Sequence, residues 1–275
     1  MNNSVNRSMR NYDALRKWNQ RLLKRMNDIY LEAELVVGAL RDLKAGLPAS
    51  DTAAAERIKL SVPSVKGKDL KVFRKAPDLH RMIDNRIDSR EFIQSLVFAV
   101  ALTEEYLSDV LELIIRAYPQ KLFISPKGNA LKDDQMVPVD VREILKARSL
   151  AEIIQEQVSK RVRDAIYATP KQYSTYLASV VGFALPEDLL RRFFEVKATR
   201  DVHIHNGGLA NSIYIQKAGG LARAMDGVVL PVDGEYLKGA ISCQKKIFTQ
   251  TYKGMLEKYG DSEKVQDILN YNRLT

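Results

Sequence analysis

Two of the chain's three histidines, His203 and His205, stand two residues apart, directly after Arg200-Asp201 and directly before Asn206 and two glycines. An imidazole can give or take a proton near neutral pH, and a guanidinium holds a phosphate group through a planar fork of N–H donors. An arginine and a histidine in one short string therefore suit proton transfer at a phosphate. The same string would also fit a metal site or the ordinary end of a helix.

The element that must position these side chains is a helix. It begins at Glu187, after Pro186, and its end is marked by the Asn-Gly-Gly that follows His205. Two apolar stripes lead along it, Leu189, Phe193 and Val196 to Arg200, and Phe194, Ala198 and Val202 to His205. A cation at the end of a core-facing stripe is costly unless an anion meets it, so Arg200 is predicted to have an anionic partner.

The spacing of Arg200 and His205 bears on how many chains form the site. Five residues on a helix turn the direction of a side chain by about 140°. The two side chains therefore flank a face of the helix, and one chain supplies half a cleft. Two copies facing each other across a dimer would surround a phosphate. The C-terminal end of a helix also favours a positively charged imidazole.

The rest of the chain has helical periodicity almost throughout, so the predicted fold class is all-α. The predicted helical stretches are 12–43, 89–118, 141–167 with a break at 147–150, the Glu187 helix, and a last long helix with Tyr236, Leu237, Ile241, Ile247 and Met255 inward. The predicted inward side of the first stretch is Leu15, Trp18, Leu22, Met26, Ile29, Ala33, Val36 and Ala39. The stretch that begins near Ser89 is apolar nearly all round at first, which is typical of a helix at the centre of a bundle.

The net charge of +9 is concentrated in two windows. Residues 1–25 carry seven Lys and Arg against one acid, and residues 57–81 carry eight against two. Clustered cations attract polyanions such as nucleic acid, although a solvated surface has the same composition. The predicted RNA-binding residues are Arg16, Lys17, Arg21, Lys24 and Arg25. Residues 61–90 contain two prolines and are predicted to be a basic connector, with short strands or a loop.

Composition narrows the class of protein. The single cysteine, Cys243, excludes an internal disulfide and most zinc motifs, and it follows apolar spacing, as a packed small side chain does. The third histidine, His80, completes no recognisable ligand spacing, so no metal or cofactor is expected. The N-terminus lacks the apolar segment of a signal peptide, and the apolar run 96–102 is too short to span a membrane. A cytoplasmic protein without a membrane partner is predicted.

The string from Arg200 to His205 fits the R-x4-6-H signature of HEPN domains, the higher eukaryote and prokaryote nucleotide-binding superfamily. Its context, "RDVHIHNGG", resembles the "RN..VHNGG" run of HEPN proteins in bacterial toxin and defence systems. Upstream, "LTEEYLSDVLELIIRAYPQKL" and "DAIYATPKQYSTYLASVVGFAL" resemble the central helix and the preceding region of that group. The resemblance covers about residues 86–275 and implies an HEPN-like helical bundle there, with 1–85 as an N-terminal basic helical extension.

The resemblance implies a metal-independent endoribonuclease that acts as a toxin or anti-phage defence effector, with RNA as substrate and a homodimer as the active species. An antitoxin or sensor protein is a further expected partner. Arg200 would hold the scissile phosphate and His205 would be the acid/base, leaving a 2′,3′-cyclic phosphate or 3′-phosphate and a 5′-hydroxyl. Asp201 stands where the family most often has Asn; it would orient Arg200 but also repel a phosphate. Asn206 would bind substrate or cap the helix, and His203 is a second candidate for the proton transfer.

Three alternatives stay open. The chain could be a non-catalytic HEPN module that binds nucleotide, RNA or a partner protein as a scaffold or sensor. A basic DNA-binding protein is disfavoured because no helix-turn-helix is recognisable. The acids Glu104, Glu105 and Asp109 of the central helix either face the motif, as polar residues there do in some HEPN proteins, or form an exposed face.

Overall fold

The structure, a computed structural model, describes residues 2–47, 57–125 and 140–271. It is 76% helical, which confirms the all-α prediction. The α-helices are α1 Asn2–Ala45, α2 Ala76–Asn85, α3 Glu91–Ala117, α4 Val141–Lys146, α5 Leu150–Ile166, α6 Pro170–Val181, α7 Glu187–His205, α8 Ser212–Ala218, α9 Gly234–Tyr259 and α10 Glu263–Tyr271. Within these described residues, no helix is both long and apolar enough to cross a membrane.

Helix α3 lies at the centre of the bundle, as its apolar sequence predicts. It packs against α1, α5, α6, α7, α9 and α10, and most of its side chains are buried. An aromatic stack joins three helices here, because the ring of Tyr106 meets Trp18 of α1 and Phe248 of α9 edge-on, each at 5.0 Å between centroids. Such edge-to-face pairs stabilise a core beyond the area they bury. Helix α3 is therefore a rigid base for side chains that reach it from α7.

Helix α1 is part of this bundle. Its buried side chains share one hydrophobic core with those of α3 and α9. The predicted inward side is correct as far as Ala33, except that Ile29 is only partly buried. The next core residue is Val37, whereas Val36 and Ala39 are exposed. The step from Ala33 to Val37 is four residues, which keeps the stripe on the side that faces α3 and α9.

The predicted start of a helix at Ser89 is wrong. A helical run continues from α2 through a π-helical turn, Arg86–Arg90, into α3, so Ser89 lies inside it. The run begins at Ala76, and Pro77 lies in its first turn. Proline lacks an N–H, but an N–H in the first turn has no partner within the helix, so no hydrogen bond is lost. The predicted domain boundary between residues 85 and 86 therefore falls within continuous helix.

Between α1 and α2 the chain forms a β-hairpin. Of the short strands or loop predicted for the connector, the structure has the strands. Strand β1, Arg57–Pro63, pairs antiparallel with β2, Asp69–Lys75. The connecting turn is closed by a hydrogen bond from Ser64 N to Lys68 O at 2.9 Å. Gly67 adopts a φ of 72° in this turn, a conformation that glycine takes without strain.

Candidate functional site

Helix α7 ends where the sequence predicts. Asn206 is its C-cap residue, and Gly207 and Gly208 follow with φ of 60° and 83°. The loop is tied to a later segment, since Leu230 N donates to Gly208 O at 2.8 Å. A Cβ on Gly208 would lie 3.1 Å from the ring of His203, so this position favours glycine both for its backbone angle and for the close approach of that ring. The end of α7 is thus held in one conformation.

The structure supplies the anion that the position of Arg200 predicts. Arg200 Nη2 is bound to Glu104 Oε2 of helix α3, and the Arg200 side chain is only 17% exposed. Lys197 Nζ lies 2.5 Å from the other oxygen of Glu104. Of the two predicted placements for Glu104, facing the motif is the one that the structure has. The guanidinium is fixed by α3. Any phosphate that it binds must share it with this carboxylate.

Asp201 lies beside Arg200 in the same chain. Its Oδ1 is 3.4 Å from Arg200 Nε, and its Oδ2 accepts a hydrogen bond from Lys217 Nζ of α8 at 3.3 Å. Lys197, Glu104, Arg200, Asp201 and Lys217 therefore form an alternating chain of charges across three helices. Glu104 restrains the guanidinium, whereas the buried Nε of Arg200 makes no hydrogen bond within the described chain. The lysines keep the cluster positive by one charge.

The two histidines differ in their surroundings. His203 is half-buried, and its Nε2 donates to Leu230 O at 2.9 Å, because a carbonyl oxygen can only accept. Burial lowers the pKa of His203 below its ordinary value, so the ring is neutral at neutral pH. His205 is exposed, and within the described chain it makes no hydrogen bond or ion pair. His205 is thus the histidine that is open to a ligand.

Asn206 has a local partner. Its Nδ2 donates to Leu209 O, in the loop after α7, at 2.5 Å. Helix α1 carries the predicted RNA-binding residues, and within the described chain it packs chiefly on α3 and α9. Arg16 and Lys17 pair with Asp13 at 2.7 and 2.6 Å. The structure does not bring these cations to the end of α7.

Sequence reasoning missed a buried carboxylate one turn before Arg200. Glu195 is only 4% exposed, and both of its oxygens accept hydrogen bonds. Oε1 accepts from Thr199 Oγ1 at 2.9 Å, Tyr214 OH at 3.2 Å and Arg223 Nε at 3.0 Å, and Oε2 accepts from Tyr236 OH at 2.9 Å. A buried charge is stable only when it is paired and bonded in this way. The one signal in the sequence is a Glu within the apolar string "FFEV".

Arg223 completes this network. Its guanidinium stacks on Tyr236 at 3.7 Å from the ring centroid, and its Nη1 donates to Pro231 O at 2.8 Å. Burial, in the first place, raises the pKa of Tyr214 and of Tyr236. The network joins α8, the segment that follows it and the start of α9 to α7, next to Arg200. It therefore fixes the scaffold on which the candidate site is built.

Cys243 is buried, and its Sγ donates to Leu189 O at 3.7 Å. Burial raises the pKa of this thiol to about 11, which suits the packed side chain that its spacing predicts. Among the residues that the structure describes, no three His, Cys, Asp or Glu side chains are grouped to hold a metal ion.

Comparison with protein-family models, with curated proteins and with solved structures finds no match to the chain.

Proposed function

We propose that the chain is a metal-independent endoribonuclease of the HEPN type, acting as a toxin or anti-phage defence effector. The observation that carries the proposal is the placement of Arg200 and His205 on the last turns of α7. Arg200 is anchored by Glu104, whereas His205 is exposed and has no partner within the described chain. A fixed cation and an open imidazole are groups that promote cleavage of a phosphodiester.

In the proposed reaction the ribose 2′-hydroxyl attacks the neighbouring phosphorus and the bond to the 5′-oxygen breaks. His205 takes the proton of the 2′-hydroxyl or gives one to the leaving oxygen, which is general acid–base catalysis, and water supplies or takes up the other proton. Arg200 binds the phosphate and offsets the charge that develops on its oxygens. The products carry a 2′,3′-cyclic phosphate, or a 3′-phosphate after hydrolysis, and a 5′-hydroxyl.

End chemistry tests this proposal. We expect the purified chain to cleave RNA in excess EDTA, and the new 5′ ends to accept phosphate from polynucleotide kinase without prior phosphatase treatment. A 2′-deoxy substitution at the cleavage site should abolish the reaction, because the attacking hydroxyl is then missing. Products with 5′-phosphates, or cleavage that stops on addition of EDTA, would contradict the mechanism.

Exposed apolar side chains near His205 support a homodimer as the active form. Large apolar side chains at and after the end of α7 are exposed, namely Ile204, Leu209, Ile213, Leu221, Met225, Val228 and Val229. Leu209 and Val229 are neighbours across an antiparallel bridge. An apolar surface of this kind on a soluble protein is typical of an interface. A two-fold contact here would place two His205 side chains and two α7 ends in one cleft.

Mixed dimers test whether the cleft is shared. We expect Arg200→Ala and His205→Ala chains, each inactive alone, to regain part of the cleavage activity when unfolded and refolded together. The cleft of the heterodimer then has an arginine from one chain and a histidine from the other. Refolded samples of each variant alone are the controls. No recovery, with heterodimers verified by native mass spectrometry, would mean that one chain must carry the intact pair.

The Glu104 contact favours a second function, a non-catalytic HEPN module that binds nucleotide, RNA or a partner protein. A guanidinium already held by a carboxylate binds a phosphate less readily than a free one. Under this function the wild-type chain binds its ligand without cleaving RNA. The EDTA experiment separates the two functions.

A further inference from the structure

The two faces of the β-hairpin differ in chemistry. In an antiparallel pair, residues that are directly opposite share a face, and successive residues alternate between faces. One face consists of Arg57, Lys59, Ser61 and Pro63 opposite Lys75, Phe73, Lys71 and Asp69. All eight of these residues are exposed. The other face carries the aliphatic side chains, of which Ile58, Val62 and Val72 are partly buried. The face that consists of the eight exposed residues is called the basic face.

Among the residues that the structure describes, the cations of the hairpin have no anionic partners. Residues 57–75 contain seven Lys and Arg but one acid, Asp69. Within the described chain, no ion pair joins any of these cations to a carboxylate, and the one side-chain partner on the basic face is Ser61, whose Oγ lies 3.2 Å from Lys71 Nζ. Arg57 and Lys75 lie directly opposite each other, and like charges in that arrangement destabilise a strand pair. A bound polyanion would relieve this repulsion.

An aromatic ring lies within this positive surface. Phe73 is 53% exposed although it is a large apolar side chain. It is directly opposite Lys59 and lies between Lys71 and Lys75 along its own strand. Exposed aromatic rings flanked by cations are how proteins bind single-stranded nucleic acid, because a base stacks on the ring while the cations follow the backbone. Side chains on one face of a strand repeat about every 6.8 Å, a distance of the order of that between phosphates of an extended single strand.

We propose that the basic face of the hairpin binds single-stranded RNA, with a base stacked on Phe73 and phosphates held by Lys59, Lys71 and Lys75. Duplexes are a poorer fit, because their bases are already stacked on one another. The choice of RNA over DNA rests on the proposed function. The arguments from stacking and from charge do not depend on that function. The hairpin leads into helix α2, whose Asp84 pairs with Lys44 at the C-terminal end of α1. Lys44 lies about 30 Å from Arg25 along the α1 axis, so the hairpin is a binding surface separate from Arg16–Arg25.

Binding of a fluorescent 12-nucleotide single strand, measured by anisotropy in a His205→Ala background, tests the proposal without cleavage. We expect Phe73→Ala to weaken binding about 5- to 150-fold at unchanged salt dependence, since it removes one stacked base but no charge. Phe73→Tyr should retain the affinity. Lys59→Thr/Lys75→Thr should weaken binding about tenfold or more and lower the slope of log Kd against log salt by about 1.4, since each phosphate contact contributes about 0.7.

Matched controls distinguish the hairpin from other surfaces. All substituted side chains are exposed, so the melting temperature should not change. The variant Lys24→Ala/Arg25→Ala removes as much charge from α1. If it abolishes binding while the hairpin variants bind like the parent, the proposal is overturned. Tighter binding of a duplex, or Phe73-dependent binding to anionic phospholipid vesicles without binding to RNA or DNA, overturns it as well. Hairpin-dependent binding by a wild-type chain that cleaves no RNA would leave this inference standing and remove the nuclease proposal.

Discussion

In cleavage assays, His205→Ala is expected to lower the rate about 100- to 10,000-fold, the range that general acid–base catalysis contributes. The melting temperature should stay the same, because the imidazole is exposed and bonds to nothing within the described chain. In bacteria, expression of the wild-type chain should arrest growth and expression of His205→Ala should not. The measurements are initial rates on labelled RNA, circular dichroism, and colony counts.

His203→Ala is the matched control, since it removes an imidazole two residues away. It should retain partial activity but cost about 0.5–1.5 kcal/mol of stability, the value of the hydrogen bond to Leu230. Its pH dependence gives a second signature. Because the pKa of His203 is lowered below 6.5 in the folded state, the native chain loses stability as pH falls through 6.5. His203→Ala should remove that part of the acid sensitivity. Equal cleavage by wild type and His205→Ala would refute the catalytic assignment.

The helices of the site could be predicted from local sequence. Pro186 and the Asn-Gly-Gly string bracket α7, and the apolar periodicity around Tyr106 places α3 at the centre, because both signals act within a few residues. The hairpin was only partly predicted. Its alternation of Ile58, Leu60 and Val62 with polar residues is visible in the sequence, but Pro63 at the end of the strand and Pro77 after the hairpin obscure it.

The contacts of the site could not be predicted in the same way. Glu104 and Arg200 are 96 residues apart, and only the packing of α7 against α3 brings them together. The sequence requires that an anion meet Arg200, but several acids of α3 satisfy that requirement equally. Asp109 is one of the other acids of α3 that the sequence could equally place against Arg200. Its pKa is raised to about 6, first by burial and then by Glu105 and Glu112, so it is a half-buried acid without a cation that offsets this burial.

Glu195→Ala is expected to destabilise the fold by about 3–5 kcal/mol, because it leaves the part-buried Arg223 without its carboxylate. The hydroxyls of Thr199, Tyr214 and Tyr236 would lose their acceptor at the same time. Thermal and urea unfolding measure the loss. Glu235→Ala is the matched control: this acid pairs with Lys238 but is 85% exposed, so its loss should cost less than about 1 kcal/mol.

A double-mutant cycle identifies the cause of the loss. If the unpaired guanidinium dominates, Arg223→Ala added to Glu195→Ala should restore part of the stability, because the charge is then removed with its partner. Near-additive losses would mean that the hydroxyl contacts, not the ion pair, hold α8 and α9 to α7. Cleavage should fall in Glu195→Ala even below its melting transition, since Thr199 precedes Arg200 and the network fixes that turn of α7. A destabilised variant with the full wild-type rate at low temperature would show that the network supports the fold without positioning the site.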